Sequence, residues 1–238
     1  MAWKHLGKQF DIHGGGIDLV FPHHENELAQ TTCAFHASRM ANVWMHNGFL
    51  QVEGDKMSKS LGNFVTIREL LADWPGEVLR LNMLKTHYRS PIDWTLKALE
   101  ESAKTLDDWY RVSAAAHDGE PSEAVIAALC DDLNTPQMIA SLHGMRNGAA
   151  SESGQDRNRF AASLRLLGFL TESVAEWEGR KRQASGIDST RIDGLIADRT
   201  AARARKDFKE SDRIRDELAA MGVVIKDSRE GTTWEIAR

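Results

Sequence analysis

The chain changes character near residue 95, and this change limits the folds that it can adopt. Before that point the sequence is rich in glycine and histidine, and turn signals separate short apolar runs, a pattern typical of alternating strands and helices. After it, apolar residues recur at helical spacing, at Leu96, Leu99, Ala103 and Leu106. The sequence therefore predicts an α/β part followed by a mainly α part.

The α/β part is expected to begin with a strand at residues 10–13 that leads into three glycines. A helix is predicted over residues 23–36, with Pro22 in its first turn. Residues 43–52 have the β-branched and aromatic content of a strand, or of a strand followed by a turn. Because a Glu-Gly-Asp turn signal comes next, the Lys-Met-Ser-Lys-Ser segment at 56–60 is expected to lie on a loop.

Helices dominate the rest of the chain. Thr66 and Glu69 have the spacing of a capping box, and Pro75 is expected to begin the following helix, which runs to His87. The later predictions are helices over 123–133, 136–147 and 157–170, a polar linker over 178–189, a long helix over 191–221 capped by Gly222, and a hairpin over 223–236.

Composition places the 238-residue chain among ordinary globular proteins, with 42% hydrophobic and 27% charged residues. Its two cysteines cannot form a disulfide framework and fit a reducing compartment. No apolar run approaches the length of about 20 residues that spans a membrane. We therefore expect a cytoplasmic protein that does not enter a membrane.

One stretch departs from the net charge of −5, which by itself argues against non-specific binding to nucleic acid. Residues 179–215 hold eleven lysines and arginines and six acidic residues. Such a stretch is typically a solvated helix face crossed by ion pairs. Binding of a polyanion is the alternative, and it needs support from elsewhere in the chain.

The three glycines are the first candidate functional segment. Gly14, Gly15 and Gly16 lack a Cβ and so allow close approach of a flat or charged ligand. Asp18 is placed to accept hydrogen bonds from hydroxyl groups of such a ligand. Three glycines are also common in plain turns, so this segment alone is a weak signal.

Two further pairs of residues suggest a metal ion and a phosphate. His23 and Glu27 lie four positions apart on the predicted helix and can share a divalent ion, although two ligands do not complete a zinc site. The other candidates nearby, among them His24, fit no common ligand spacing. Lys56 and Lys59 bring two ammonium groups to one turn, which suits a pyrophosphate leaving group but also occurs on plain surface loops.

Taken in order, these segments resemble one family. His13-Gly-Gly-Gly-Ile-Asp-Leu-Val-Phe-Pro-His-His-Glu-Asn-Glu27, Trp44-Met-His46 and Lys56-Met-Ser-Lys-Ser-Leu-Gly-Asn63 follow one another as in class I aminoacyl-tRNA synthetases, specifically the cysteinyl-tRNA synthetases. The resemblance continues through His87-Tyr-Arg-Ser90, Asp131-Asp-Leu-Asn-Thr-Pro136 and Gly231-Thr-Thr-Trp234. It therefore covers essentially the whole chain.

The resemblance implies three regions. Residues 1–94 would be the C-terminal half of a Rossmann-like catalytic domain with the lysine signature loop. Residues 95–185 would form a helical bundle, and residues 186–238 a small helix-plus-hairpin domain that binds the anticodon. The implied enzyme is a monomer that uses ATP, Mg²⁺ and Zn²⁺ to form cysteinyl-adenylate from cysteine and to transfer the cysteinyl group to tRNA(Cys).

Site residues also follow from the resemblance. It places ATP at Gly14, Gly15, Gly16, Asp18 and Lys59, catalysis at Lys56 and Lys59, zinc at His23 and Glu27, the amino-acid pocket at His13, and the anticodon at Arg203, Phe208, Asp212 and Asp227. A substrate thiolate is a soft ligand for zinc, whereas the hydroxyl of serine is a poor one, so no editing domain is required.

The family's catalytic domain also has an earlier half, with a His-rich ATP signature and two cysteine ligands for zinc, that this sequence does not contain. The zinc site is therefore expected to be incomplete, and the chain alone to be inactive unless that half is supplied. A catalytically silent tRNA-binding module is one alternative. A ligase that joins cysteine to an amino sugar through the same adenylate is another, which the basic helix and the tail disfavour.

Overall fold

The computed structural model describes residues 2–57, 65–151, 154–184, 189–205, 207–228 and 231–236. It divides into two compact units, Met1–Thr171 and Glu172–Arg238. The predicted boundary at residues 94 and 95 lies inside the first unit, and the three-part division stays a prediction. Within the described ranges, no helix is long and apolar enough to cross a membrane.

The first unit combines two small sheets with a group of helices. Its elements are, in chain order, α1 (Ala2–Leu6), β1 (Phe10–Gly16), α2 (Glu25–Phe35), β2 (Ala41–Asn47), β3 (Leu50–Val52), β4 (Asp55–Lys56), α3 (Ile67–Asp73), α4 (Gly76–Leu84), β5 (Ile92–Trp94), α5 (Leu96–Val112), α6 (Glu123–Cys130), α7 (Thr135–Ala150) and α8 (Gly154–Leu166). β1 and β2 are parallel, and α2 crosses between them. The second sheet has the order β4-β3-β5, with β3 and β5 parallel.

The first strand and the first long helix differ from their predicted bounds. β1 continues through the three glycines because its backbone stays paired with β2 as far as Gly16, which lies opposite Asn47. A 3-10 turn and a π turn follow it, and α2 begins at Glu25 and not at His23. Within the π turn the backbone of Phe21 is extended (φ −135°, ψ 134°), so the turn is kinked at this residue.

The lysine segment begins in a strand. Lys56 belongs to β4 and pairs with Gln51 of β3, so the expectation of a loop is wrong at this position. The capping box ahead of α3 is confirmed: the backbone N–H of Glu69 donates to Thr66 Oγ1 at 3.2 Å, and that of Thr66 donates to Glu69 Oε2 at 2.7 Å. These two bonds satisfy backbone donors that a helix start otherwise leaves unpaired.

An aromatic core lies within the helical part of this unit. The rings of Trp109, Phe160 and Phe169 meet edge to face, with centroids 6.2 Å apart for Trp109 and Phe160 and 5.9 Å for Trp109 and Phe169. All three side chains are essentially buried. α6 stops short of its predicted end because Asp132 and Leu133 have left-handed backbones, with φ of 52° and 54°.

A buried carboxylate joins α4 to α5 and to the end of the unit. Glu77 is 8% exposed. Its Oε1 accepts hydrogen bonds from the Tyr110 hydroxyl at 2.9 Å and from the backbone N–H and the hydroxyl of Thr171 at 2.9 and 2.5 Å. Its Oε2 accepts from the backbone N–H of Leu170 at 3.1 Å. Four donors thus supply the partners that a buried charge requires.

The second unit consists of helices and an antiparallel hairpin. Its elements are α9 (Val174–Ala184), α10 (Ser189–Ala204), α11 (Phe208–Ala220), β6 (Val223–Ser228) and β7 (Gly231–Ile236). Ile192, Ile214, Leu218 and Val223 form its core. The predicted hairpin is confirmed, and so is Gly222 as the end of the preceding helix, with a φ of 76°.

Two predictions for this unit are wrong, both because a helix cap was overlooked. The expected polar linker begins inside α9, which Ser173 and Glu176 cap by exchanging hydrogen bonds at its start. The single helix predicted over 191–221 is two helices. Asp207 begins the second one, since its side chain accepts from the backbone N–H of Glu210 at 3.1 Å.

Candidate functional site

The glycines of β1 lie against side chains of this same chain. A Cβ at Gly15 would come 2.7 Å from Cε1 of His24, so only a glycine leaves room for that ring. A Cβ at Gly16 would come 2.5 Å from Oδ1 of Asp18. Part of the space that the sequence suggests for a ligand is therefore taken by His24 and Asp18. The assignment of ATP to Gly14, Gly15, Gly16 and Asp18 stays a prediction.

Three side chains that could hold a metal ion meet beside these glycines. They are His13 of β1, His24 of the turn before α2, and Glu27 of α2. Each offers one ligand atom, and these atoms lie within 4.8 Å of one another. His13 Nε2 is 3.2 Å from Glu27 Oε2, and His24 Nδ1 is 2.9 Å from Nε2 of His46. His23 lies at the edge of the group, with Nε2 3.6 Å from Glu27 Oε1 and a side chain that is 59% exposed.

The protonation of His24 suits a metal ligand. Burial lowers the pKa of this histidine by removing its ring from water, and the neighbouring His13 and His46 lower it further. The ring is almost completely buried. His24 is therefore neutral at pH 7, and neutral imidazole is the form that coordinates metal ions.

The group fits a divalent metal ion such as zinc. The Oε2 atom of Glu27 is buried, accepts no hydrogen bond of standard geometry from the described residues, and has His13 Nε2 beside it at 3.2 Å, so a cation held between the two side chains would satisfy it. Imidazole nitrogens and a carboxylate oxygen are ligands that zinc accepts. Within the described ranges this is the only group of three or more His, Cys, Asp or Glu side chains placed to hold an ion.

Sequence reasoning missed His24 as a member of this group. The predicted pair was His23 and Glu27, chosen for their spacing on one helix, and its metal-binding role stays a prediction. His24 meets its partners only because the crossover between β1 and β2 packs it onto the strands. The one signal in the sequence was Gly15, whose missing Cβ makes room for a ring.

An aromatic wall lies against the histidines. Trp44 of β2 has its ring centroid 4.6 Å from that of His13 and 5.5 Å from that of His24. His46, two residues further along β2, is stacked parallel to Trp44. An indole beside the metal-binding group limits its contact with water, which strengthens electrostatic interactions there.

The lysine segment is described as far as Met57. The side chain of Lys56 and the whole of Lys59 lie outside the described residues, so their roles in ATP binding and catalysis stay predictions. Met57 lines an apolar cavity of about 530 Å³ together with Leu50 and Trp94. An apolar lining around a residue between two lysines is unlike a fully solvated loop.

The predicted anticodon residues lie on three elements of the second unit. Arg203 is exposed near the end of α10, and Phe208, the first residue of α11, is 64% exposed. Asp212, one turn further along α11, forms an ion pair of 3.1 Å with Arg215. Asp227 belongs to β6, and its side chain lies outside the description. Their contacts with RNA stay predictions.

Part of the basic stretch is a solvated row of ion pairs, as one interpretation of the sequence predicts. Arg213 contacts Glu210 and Glu217 at 2.7 and 2.9 Å, and Arg215 contacts Asp216 at 3.3 Å. The Arg213 hydrogen bond lowers the pKa of Glu210. Exposed pairs of this kind contribute little to stability. Binding of a polyanion then depends on the other cations of the stretch.

Two family models and several curated proteins match this chain. Residues 1–104 match the class I (C) tRNA synthetase catalytic domain, and residues 189–234 match the cysteinyl-tRNA ligase anticodon binding domain. A cysteine–tRNA ligase from Bradyrhizobium sp. strain BTAi1 is 72% identical over all of this chain and 52% of its own length. One from Bradyrhizobium diazoefficiens is 73% identical over all of this chain and 50% of its own length.

A solved structure agrees with these matches in fold. The chain is similar to LeuRS in the LeuRS-tRNA-LeuAMS ternary complex of Agrobacterium radiobacter K84, with a TM-score of 0.51 and 20% identity over 66% of this chain and 25% of that chain. This confirms the predicted fold class, part of a Rossmann-like class I catalytic domain followed by helices. The chain spans about half the length of the curated relatives it matches. It belongs to the cysteinyl-tRNA synthetase family of class I aminoacyl-tRNA synthetases.

Proposed function

We propose that the chain contributes to a cysteine–tRNA ligase, in which the carboxylate of cysteine attacks the α-phosphate of ATP, pyrophosphate leaves, and the cysteinyl group passes to tRNA(Cys). The observation that carries the proposal is the group of His13, His24 and Glu27 beside the glycines of β1. A metal ligand set at this position offers a binding point for the thiol of the amino acid. The monomeric state and the cytoplasmic location expected from the sequence belong to this proposal.

The metal-binding group serves amino-acid selection in this proposal. Zinc held there supplies a soft Lewis acid that binds a thiolate and discriminates against a hydroxyl. His13, His24 and Glu27 would hold the ion, with His23 as a further candidate at the edge. Trp44 excludes water from one side of the histidines, so the chain presents a partly dry pocket to the substrate side chain.

ATP is proposed to bind between the glycines of β1 and the lysine segment. Gly14 lies in β1, where a Cβ would make an ordinary contact of 3.6 Å with the carbonyl oxygen of Met45, and its bare backbone is the proposed place for the base. Asp18 is exposed and can accept hydrogen bonds from the ribose. Lys56 and Lys59 would stabilise the charge on the leaving pyrophosphate, together with Mg²⁺.

The second unit is proposed to bind the anticodon of tRNA(Cys). A largely exposed phenylalanine at the start of a helix is a platform on which a base can stack. Arg203 nearby in sequence supplies positive charge, and Asp212 and Asp227 can accept hydrogen bonds from base edges. The match of residues 189–234 to an anticodon binding domain supports this part and disfavours the amino-sugar ligase.

A silent tRNA-binding module is the second candidate, and one observation favours it. The β1–β2 sheet has two strands, and Ile12 and Val43, which are partners in it, are 60% and 54% exposed. Parallel sheets are normally covered on both faces, and two strands alone are marginally stable. The chain by itself is therefore expected to bind RNA while activating cysteine far more slowly than a full-length relative.

Metal content tests the site directly. When zinc is added, wild type is expected to bind about one ion per chain by mass spectrometry, and Glu27→Ala to bind less. Glu25→Ala is the matched control, because Glu25 is an exposed carboxylate on the same helix outside the group. Equal zinc content in Glu27→Ala and Glu25→Ala would contradict the assignment.

Activity separates the two candidate functions. Cysteine-dependent ATP–pyrophosphate exchange is measured for the chain alone, and again with the part of a curated relative that the chain does not match, supplied as a separate polypeptide. Exchange restored by that addition supports the ligase. Binding of tRNA(Cys) without restored exchange supports the silent module. Exchange by the chain alone at the rate of a full-length relative would contradict the expectation that it is inactive by itself.

A further inference from the structure

A cavity in the helical part of the first unit is lined by three arginines. It has a volume of about 400 Å³. Arg111 of α5, Arg146 of α7 and Arg157 of α8 line it, and alanines make up most of the remaining wall. The small side chains leave room between the guanidinium groups, and no carboxylate is among the lining residues. All of these residues lie far along the chain from the metal-binding group.

One carboxylate lies beside two of these arginines. Nε and Nη2 of Arg146 donate to the two oxygens of Asp108, each at 2.6 Å, and Nη2 of Arg111 donates to Oδ1 of the same residue. The bonds from Arg146 hold the pKa of Asp108 below its usual range, so this carboxylate is ionised at neutral pH. Among the described residues, one carboxylate is thus shared by two guanidinium groups.

Arg157 brings a third guanidinium group to the cavity. Its Nε donates to the backbone carbonyl of Ala149 at 3.3 Å and its Nη2 to that of Ser151 at 3.0 Å, at the end of α7. These carbonyls orient the guanidinium group and, as the negative end of the α7 dipole, offset only part of its charge. In the part of the chain that the structure describes, Arg157 forms no ion pair, and its Nη1 makes no hydrogen bond.

We infer that this cavity binds a phosphate group. Guanidinium groups are planar forks that match phosphate oxygens, and all three here are already oriented by other contacts. Three guanidinium groups line the cavity and share one bonded carboxylate among the described residues, and this excess of positive charge favours a phosphate dianion or a phosphodiester. The phosphate can belong to an RNA backbone or be free in solution. The first source rests on the proposed function, and the second does not.

Two single variants and a control test the site in the full 238-residue chain. Arg111→Gln and Arg157→Gln each remove one lining cation, and Arg165→Gln removes an exposed cation of α8 that does not line the cavity. Filter binding of a tRNA(Cys) transcript is measured over a range of salt concentrations, and binding of inorganic phosphate alone by calorimetry. Circular dichroism verifies that all variants fold.

For RNA, each lining variant is expected to raise Kd by about threefold to tenfold relative to Arg165→Gln and to lower the salt slope by about one. Asp108→Asn is expected to act in the opposite direction and strengthen binding, because it removes a carboxylate that pairs with two of the arginines. If the arginines had only a structural role, Asp108→Asn would not bind RNA more tightly than wild type.

Each outcome decides the matter. Weaker RNA binding in the lining variants supports a site for backbone phosphate. Unchanged RNA binding with loss of inorganic phosphate binding supports a site for free phosphate. Lining variants that match Arg165→Gln with both probes overturn the inference. If the wild-type chain binds inorganic phosphate here but no RNA, the tRNA part of the proposed function fails and the phosphate site stands.

Discussion

Replacing Glu77 by glutamine tests how the first unit is held together. The carboxylate accepts four hydrogen bonds, three at Oε1 and one at Oε2. A glutamine of the same shape can keep its oxygen toward the three donors. Its amide nitrogen then faces the backbone N–H of Leu170, a donor against a donor, and that N–H is left without an acceptor.

The size of the effect follows from these bonds. A hydrogen bond to a charged group contributes about 1.5–3 kcal/mol and a neutral one about 0.5–1.5 kcal/mol, and a buried donor without an acceptor costs about 1–3 kcal/mol. The neutral side chain avoids the cost of burying a charge, which offsets part of the loss. We expect Glu77→Gln to lower the free energy of unfolding by about 2–4 kcal/mol.

Urea unfolding followed by tryptophan fluorescence measures this loss as a lower midpoint at unchanged m-value. Tyr110→Phe removes one of the four donors and is expected to cost about 1–2 kcal/mol. Because the two residues share a bond, the double variant should lose about 1 kcal/mol less than the sum of the single losses. A Glu77→Gln variant within about 0.5 kcal/mol of wild type, or strictly additive losses, would refute the reasoning.

Three further predictions concern the site, the RNA-binding unit and a helix start. Gly15→Ala should weaken zinc binding about tenfold or more in a chelator competition, because the added Cβ displaces His24, and an unchanged Kd would count against that packing. Phe208→Ala should weaken tRNA(Cys) binding by about 1–3 kcal/mol while the melting temperature stays unchanged, since the ring is mostly exposed. Hydrogen bonds from the backbone N–H and, to a smaller extent, the hydroxyl of Thr66 lower the pKa of Glu69, so Thr66→Ala, which removes only the hydroxyl, should raise it in an NMR titration. A carboxyl group whose pKa is lowered by folding contributes stability at pH values above its unfolded-state pKa. This contribution is lost as the pH falls through the folded-state pKa, so the stability advantage of wild type over this variant should shrink in acid.

Local signals predicted several elements correctly. The capping box of Thr66 and Glu69, Gly222 as a helix end and the final hairpin each depend on a few neighbouring residues, whose backbone preferences are strong enough to decide the conformation. The order of motifs also predicted the family, since each motif is a short segment that is read from the sequence without knowledge of distant contacts.

Features that depend on distant contacts were not predictable in the same way. His24 joins the group with His13 and Glu27 through packing against β1 and a hydrogen bond to His46 of β2. Neither contact can be predicted from residue spacing along one helix. The break before Asp207 was hidden for a different reason. Charged residues with high helix propensity surround it, and they concealed a cap that the aspartate side chain supplies.

The contacts of Glu77 also have a consequence for the order in which the chain is made. Thr171 follows Glu77 by 94 positions, and a ribosome that adds roughly 5–20 residues per second needs roughly 5–20 s to synthesise that stretch. Until then the Glu77 carboxylate of α4 lacks the donors from Leu170 and Thr171 and is hydrated by water. The helices of the first unit are therefore expected to close around Glu77 only after Thr171 has emerged, as one late cooperative step of synthesis.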